Sequence, residues 1–288
     1  MIQIKLAYHA VHHWHQSASI AVIGNPFYED EIWNEVKLAS LFSADDAIES
    51  HLQKIKKLNG HFSVVIESND YILLAVDKIR TFPIFIKKTT NSICISDKIY
   101  VDECHYNDEQ AEVFKKIYCT EGNHTLLKEW KQLQAGQYAI INKKDSTIFI
   151  ADYYQHKKNK NYERKTEYES KIELQQLEVQ LIDKIKKQTR GKNILLPLSG
   201  GYDSRYLLLL LLSNKIENIT CFTYGRSESY EVKTAEKICR KLNVKWHFIE
   251  YTDALLSRFF TDEWQQYTQQ NHAFSSLPHE QDFLHYLI

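Results

Sequence analysis

The sequence predicts two domains of different class: an α+β domain built on antiparallel sheet, then an α/β domain built on parallel sheet. Three observations predict this. Up to about residue 153, short β-rich runs follow one another with turn signals between them. From Thr166 onward, helical and strand-like segments alternate, as βαβ units require. Between the two, His156 to Lys165 has Lys and Asn in place of periodic apolar residues and reads as an exposed linker. The reading therefore divides the chain into residues 1–155, a linker at 156–165, and residues 166–288.

In the first domain the strands are Ile20 to Ile23, Phe62 to Glu67, Tyr71 to Asp77, Ile84 to Ile86, Ser92 to Ser96, Gln137 to Asn142 and Thr147 to Ala151. Asn69-Asp70, a two-residue polar break between apolar runs, reads as a hairpin turn. Helices interrupt near Asp45 to Leu58 and Asp108 to Tyr118. The amino-terminal His9, His12, His13 and His15 raise the question of a metal site, since alternate residues of a strand share a face. No Asp, Glu or Cys lies nearby to complete one, and a half-exposed aromatic strand is the simpler reading.

In the second domain Leu174, Leu177, Leu181 and Ile185 recur at helical spacing and predict one apolar helix face. A strand at Ile194 to Pro197 follows, then a glycine-rich turn and a leucine-rich helix through Leu207 to Leu212, packed on both sides. Next come a strand at Ile219 to Thr223, a helix from about Ser229 to Leu242 and a strand at Lys245 to Glu250. Ligands of open parallel sheets bind beyond the carboxyl ends of the strands, which places the turn after Pro197 beside Tyr224-Gly225.

Composition narrows the partners. With 36 basic and 37 acidic residues the net charge is −1, so no overall field draws the chain to nucleic acid or anionic lipid. The longest apolar stretch, Leu207 to Leu212, is far shorter than the roughly 20 residues of a membrane span. No basic-then-apolar leader opens the chain, and a cytoplasmic location is the expectation. Five cysteines without CxxC pairing suit reduced, mostly buried thiols.

The chemistry concentrates in Leu198-Ser199-Gly200-Gly201-Tyr202-Asp203-Ser204-Arg205, wedged between strand and helix. Two glycines let the backbone approach an anion, Ser199 and Ser204 add hydroxyls, and the first amides of the helix point at the same place. Asp203 is suited to hold a Mg²⁺ that bridges phosphate oxygens. As a bland alternative, Asp203 would merely stabilise a helix N-terminus. No GxxxxGK[ST] string occurs, so this is not the other common phosphate loop.

These residues match the SGGxDS pyrophosphatase loop, and the chain around them resembles the asparagine synthetase family of ATP-dependent amide-forming enzymes. Phe222-Thr223-Tyr224-Gly225 is similar to the family's second strand, and Glu231, Ala235 and Leu242 before Trp246-His247 to its next helix and third strand. Upstream, Leu58-Asn59-Gly60-His61-Phe62 resembles "LNG.F", Asp77 to Pro83 resembles "RD..G..P", and Leu133 to Tyr138 resembles the "L.PG" turn. The resemblance implies a glutaminase-like antiparallel fold for residues 1–155 and an adenine-nucleotide-hydrolase-like parallel fold for residues 166–288. It implies ATP and Mg²⁺ as cofactors. Leu198, Ser199, Gly200, Gly201, Asp203, Ser204 and Tyr224 would bind ATP, with Leu198 and Tyr224 lining the adenine site. Asp203 would hold the metal, and Glu231 is a weaker second ligand because the helix dipole alone favours Glu there. It allows a homodimer.

Two departures qualify the resemblance. Family members that hydrolyse glutamine carry Cys directly after the initiator Met, where its thiol attacks the amide. Here that residue is Ile2, whose side chain has no nucleophile. The first domain is thus expected to be a degenerate glutamine amidotransferase-like domain that leaves the nitrogen to ammonia or a substrate amine. In addition, the family's later "G.G.DE" segment does not occur before Ile288, and Asp282 to Ile288 reads as a helix interior, so the second domain is expected to be incomplete here. The expected activity is activation of a small-molecule carboxylate as an acyl-adenylate, with release of pyrophosphate. A non-catalytic nucleotide-binding homologue is the alternative. An enzyme acting on a nucleic-acid base is disfavoured by the balanced charge.

Overall fold

The computed structural model describes residues 1–6, 12–100, 104–157, 165–257 and 261, and the chain divides into two compact units with a break between Lys157 and Lys158. His9 and the segment from Asp282 to Ile288 lie outside the described residues.

The first unit opens with β1 (Ile2–Lys5), β2 (His15–Gln16), β3 (Ile20–Gly24), β4 (Phe27–Tyr28) and β5 (Glu31–Ile32), then α1 (Glu35–Ser40) and α2 (Ile48–Lys57). It continues with β6 (Phe62–Glu67), β7 (Tyr71–Val76), β8 (Phe85–Lys88) and β9 (Ile93–Ser96), then α3 (Asp108–Ile117), β10 (Trp130–Gln132), β11 (Gln137–Asn142) and β12 (Ile148–Asp152). Six strands form one sheet in the order β12-β11-β7-β6-β3-β2, antiparallel throughout. Four form another in the order β1-β9-β8-β10, in which β1 and β9 run parallel. Around Asn69-Asp70 the Ser68 amide donates to the Tyr71 carbonyl at 2.9 Å, which closes the β6–β7 hairpin.

Near-continuous apolar runs make the central strands because both faces of the large sheet are covered. Val65, Ile72, Leu74 and Val76 pack with Ile84, Ile86, Ile93 and Ile95 on one face, with Ile2 and Ile4 of β1 against them. Val64, Ile66, Leu73 and Ala75 alternate to the other face and pack on Leu38 of α1 and Ile55 of α2. Ile2 is thus a strand residue leaning on a core, paired with Ile93.

Three segments that the sequence singles out meet at Asp77, which is fully buried. Its carboxylate accepts the amides of Phe62 at 3.1 Å, Ile79 at 2.8 Å and Thr81 at 3.0 Å, and its carbonyl accepts the Gly136 amide at 2.9 Å. Gly136 has φ 71°, and a Cβ there would lie 2.5 Å from the Tyr154 carbonyl oxygen, so only glycine closes this turn.

The second unit comprises α4 (Glu167–Thr189), β13 (Ile194–Pro197), α5 (Tyr202–Ser213), β14 (Ile219–Gly225), α6 (Tyr230–Leu242), β15 (Lys245–Glu250) and the short α7 (Asp253–Ser257). Its sheet, β13-β14-β15, is parallel throughout. Leu196, Leu198, Leu208, Leu211, Cys221, Ala235 and Cys239 form its core.

The structure corrects three expectations here. The stripe Leu174, Leu177 and Leu181 is 49–59% exposed, and Ile182, with Ile185, is what packs. The reason is length: a 23-residue helix is about 35 Å long and the four-residue β13 about 13 Å, so the strand is too short to cover the whole apolar stripe. The leucine-rich α5 is packed on one side, with Leu208 and Leu211 buried and Leu209 half exposed. Of the five cysteines only Cys221 and Cys239 are buried; Cys119 is exposed. Burial pushes the Cys221 thiol up to about 12 and raises Cys239 as well, so both are neutral packing groups.

Candidate functional site: the loop after β13

The loop begins where β13 ends. Leu198 continues the ladder by donating its amide to the Phe222 carbonyl at 2.8 Å, and its own carbonyl accepts the Thr223 hydroxyl at 2.7 Å. Trp246 of β15 donates Nε1–H to that same hydroxyl at 3.0 Å. One buried threonine therefore ties the root of the loop to all three strands. Leu198 is 2% exposed and its side chain packs in the core of this unit.

Beyond Leu198 the two serines shape the turn. Ser204 Oγ accepts the Ser199 amide at 3.1 Å, Ser199 Oγ accepts the Gly201 amide at 3.1 Å, and the hydroxyls contact each other at 3.1 Å. Two hydroxyls carry two protons and one is shared between them, which leaves one donor for a ligand. Gly201 is the N-cap of α5, with φ −75° and ψ 163°, and no side chain caps the amides behind it. In the same unit α4 is capped by Thr166 and α6 by Ser229. The start of α5 thus keeps its orphan N–H groups for something else.

The glycines have separate reasons. Gly201 is extended and needs no left-handed backbone; a Cβ there would meet only Ser199 Oγ, at 3.2 Å. Gly200 lies against the start of α6, where a Cβ would meet the Tyr230 ring at 3.3 Å and Glu231 Cα at 3.4 Å. Gly225 takes φ 134°, a conformation that side-chain-bearing residues rarely adopt, and its carbonyl accepts the Tyr251 amide at 2.8 Å. The first turns of α5 and α6 accordingly meet at the loop. Asp203 and Glu231, each in one of those first turns, are both exposed.

Tyr224 is half-buried at the end of β14 and stacks on Tyr251, which follows β15, with ring centroids 5.6 Å apart and planes 20° from parallel. The sequence reading missed Tyr251, although the carboxyl ends of parallel strands are where ligands bind. It also missed Arg205, whose Nε donates to the Gly201 carbonyl at 2.9 Å while its guanidinium lies 4.6 Å from the centre of the Tyr202 ring. Both Tyr202 and Tyr230 are largely exposed beside the loop.

A family profile matches this stretch. Residues 192–280 match the family described as queuosine biosynthesis protein QueC, a PP-loop ATP pyrophosphatase family. The match starts just before β13 and takes in the loop, α5, β14, α6 and β15; residues 262–280 lie outside the described ones. No curated protein matches the chain. Among solved structures, the allosteric regulatory enzyme of purine biosynthesis pairs with 49% of this chain and 30% of its own, at 14% identity and TM-score 0.30. The glutamine phosphoribosylpyrophosphate amidotransferase from B. subtilis, complexed with ADP and GMP, pairs with 86% of this chain and 52% of its own, at 13% identity and TM-score 0.29. The chain thus spans between about a third and about half of the length of these proteins.

Two of the amino-terminal histidines have contacts of other kinds. His15 is in β2 opposite Val22, and His12 meets Phe82 edge-on at 5.2 Å with Nδ1 3.8 Å from a Glu35 oxygen. Among the described residues no group of three or more His, Cys, Asp or Glu is placed to hold a metal. Likewise, among them no helix is long and apolar enough to cross a membrane.

Proposed function

We propose that the second unit binds ATP with Mg²⁺ at the loop Ser199 to Ser204 and belongs to an ATP-dependent carbon–nitrogen ligase of the asparagine synthase type. What carries this reading is the loop itself: two glycines, a serine pair with one free hydroxyl proton and an uncapped helix start at the carboxyl end of a parallel strand, in a stretch that matches a PP-loop family. Oriented amides of this kind stabilise charge that develops on a leaving phosphate, because they need not reorganise as it forms.

In the proposed reaction a carboxylate oxygen of a small acceptor attacks the α-phosphorus of ATP. The bond from that phosphorus to the bridging oxygen breaks and pyrophosphate leaves with the electron pair. Ammonia or a substrate amine then attacks the acyl carbon, AMP departs, and the nitrogen loses a proton. Ser199, Gly200, Gly201 and Ser204 hold the pyrophosphate, and Tyr224 borders the base. Asp203, with Glu231 as second carboxylate, would hold a Mg²⁺ that neutralises phosphate charge; one or two carboxylates completed by phosphate oxygens suit that cation. Glutamine is not the nitrogen donor in this reading, because Ile2 offers no nucleophile and leans on the core between the sheets. That same residue favours the second reading, a non-catalytic nucleotide-binding homologue.

The test is exchange of labelled pyrophosphate into ATP in the presence of single candidate carboxylates, aspartate among them. Exchange that depends on one carboxylate is the expected result and names the acceptor. Saturable ATP binding without exchange for any of them would favour the non-catalytic homologue, and absence of both would overturn the nucleotide reading.

A further inference from the structure

We propose that Arg205 is a second phosphate-binding residue of the loop, a fixed cation for the two terminal phosphates that leave as pyrophosphate. The inference rests on the ATP-binding reading above and names a residue that the SGGxDS pattern does not contain. An arginine in the first turns of a helix normally extends into solvent. Here Nε donates back to the Gly201 carbonyl at 2.9 Å, and the guanidinium stacks 4.6 Å from the centre of the Tyr202 ring. Two independent contacts therefore hold the side chain folded back onto the N-terminus of α5.

That placement is electrostatically unfavourable in the protein alone. Helix N-termini carry partial positive charge and favour anions, while cations favour the opposite end. The α5 N-terminus has no side-chain cap, and among the described residues no carboxylate forms an ion pair with Arg205. Asp203 and Glu231, in the first turns of α5 and α6, form no ion pair with it. A cation held against Gly201, the uncapped amides of α5 and the Ser199–Ser204 hydroxyl pair thus belong to one loop, whose single acidic residue, Asp203, forms no ion pair with the guanidinium. A di- or triphosphate answers them all. With Nε committed to Gly201, the two terminal nitrogens of the guanidinium remain to form the forked contact that phosphate oxygens accept. As the bond to the α-phosphorus breaks, charge accumulates on the departing pyrophosphate, and a preplaced guanidinium stabilises it there.

The experiment measures calorimetric affinity for ATP, inorganic pyrophosphate and AMP in the wild type and in Arg205→Gln, Arg205→Lys and Tyr202→Leu, with circular dichroism confirming the fold of each. Arg205→Gln is expected to weaken pyrophosphate and ATP by about tenfold or more, the scale of a charge-assisted contact, and to leave AMP unchanged. Arg205→Lys should recover part of the loss, since it keeps the charge without the fork. Tyr202→Leu, which keeps the cation but frees it, should weaken pyrophosphate by less than Arg205→Gln. Wild-type pyrophosphate affinity in Arg205→Gln would overturn the proposal while leaving the ATP reading intact, and an equal loss for AMP and ATP would make Arg205 structural. A wild type that binds neither ATP nor pyrophosphate removes the reading beneath it, and with it this proposal.

Discussion

The Thr223 hydroxyl donates to the Leu198 carbonyl across 2.7 Å, and through it β14 fixes the residue from which the glycine-rich loop departs. Trp246 donates into the same hydroxyl, so the loop's root is set by a side chain 25 residues later and a ring from the third strand. Thr223→Val keeps the shape and removes the hydroxyl, leaving the Leu198 carbonyl and the Trp246 N–H without this partner. A loss of about 1–3 kcal/mol of unfolding free energy is expected by urea denaturation. Weakened ATP binding should accompany it. Unchanged stability and affinity together would show that the loop is positioned by other contacts.

Asp203 tests the metal. Asp203→Asn keeps the size of the side chain and removes the charge at an exposed position in the first turn of α5. Affinity for ATP in the presence of Mg²⁺ should fall by about tenfold, and affinity without Mg²⁺ should change little. An equal fall in both conditions would assign Asp203 to the phosphate environment and not to the cation.

Ile2 gives a second chemical prediction. Ile2 pairs with Ile93 and leans on the core between the two sheets, so incubation with glutamine should release no ammonia above a heat-killed control, with or without ATP. Release above that level would mean a nucleophile elsewhere in the first unit.

His51 on α2 is fully buried beside Phe42, and neither ring nitrogen has a hydrogen-bond partner. Burial lowers its pKa below the ordinary 6.5, against a smaller opposing pull from Asp46. The folded protein therefore keeps this ring neutral where the unfolded chain binds a proton. Stability should fall as pH drops below about 6.5, by at most about 1.4 kcal/mol per pH unit from this group. Above that pH the group contributes no slope. Urea midpoints measured from pH 7.5 to 5.5 should show the decline in the wild type and a shallower one in His51→Leu. The same decline in both would place the titration at another residue.

Much of this fold is legible in local pattern. The hairpin at Asn69-Asp70 and the strand Lys245 to Glu250 follow from runs and breaks alone, and the observed β15 has the expected bounds. β1 was equally visible as Ile-Gln-Ile-Lys alternation, but the reading gave Ile2 to chemistry and overlooked its strand. The stripe on α4 misled because periodicity reports which residues could share a face and not how far the neighbouring sheet extends. At the site, the loop was plain in the sequence. Its separate glycine roles were not: Gly201 needs no unusual φ, whereas Gly200 lies in tight contact with the start of α6, 30 residues later. Arg205 stood in view beside the motif, yet only its fold-back onto Gly201 gives it meaning.

The central claim, that backbone at Gly200 and Gly201 closes on phosphate, is tested most directly by titrating ATP with Mg²⁺ into the wild type and into Gly200→Val. A branched side chain at Gly200 would press on Tyr230 and the Glu231 backbone and shift the loop off the α6 start. The account predicts saturable binding by the wild type, displaced by pyrophosphate, and its loss in a Gly200→Val protein that keeps its circular-dichroism spectrum. Equal ATP binding by the two proteins, or wild-type binding that pyrophosphate does not displace, would contradict it.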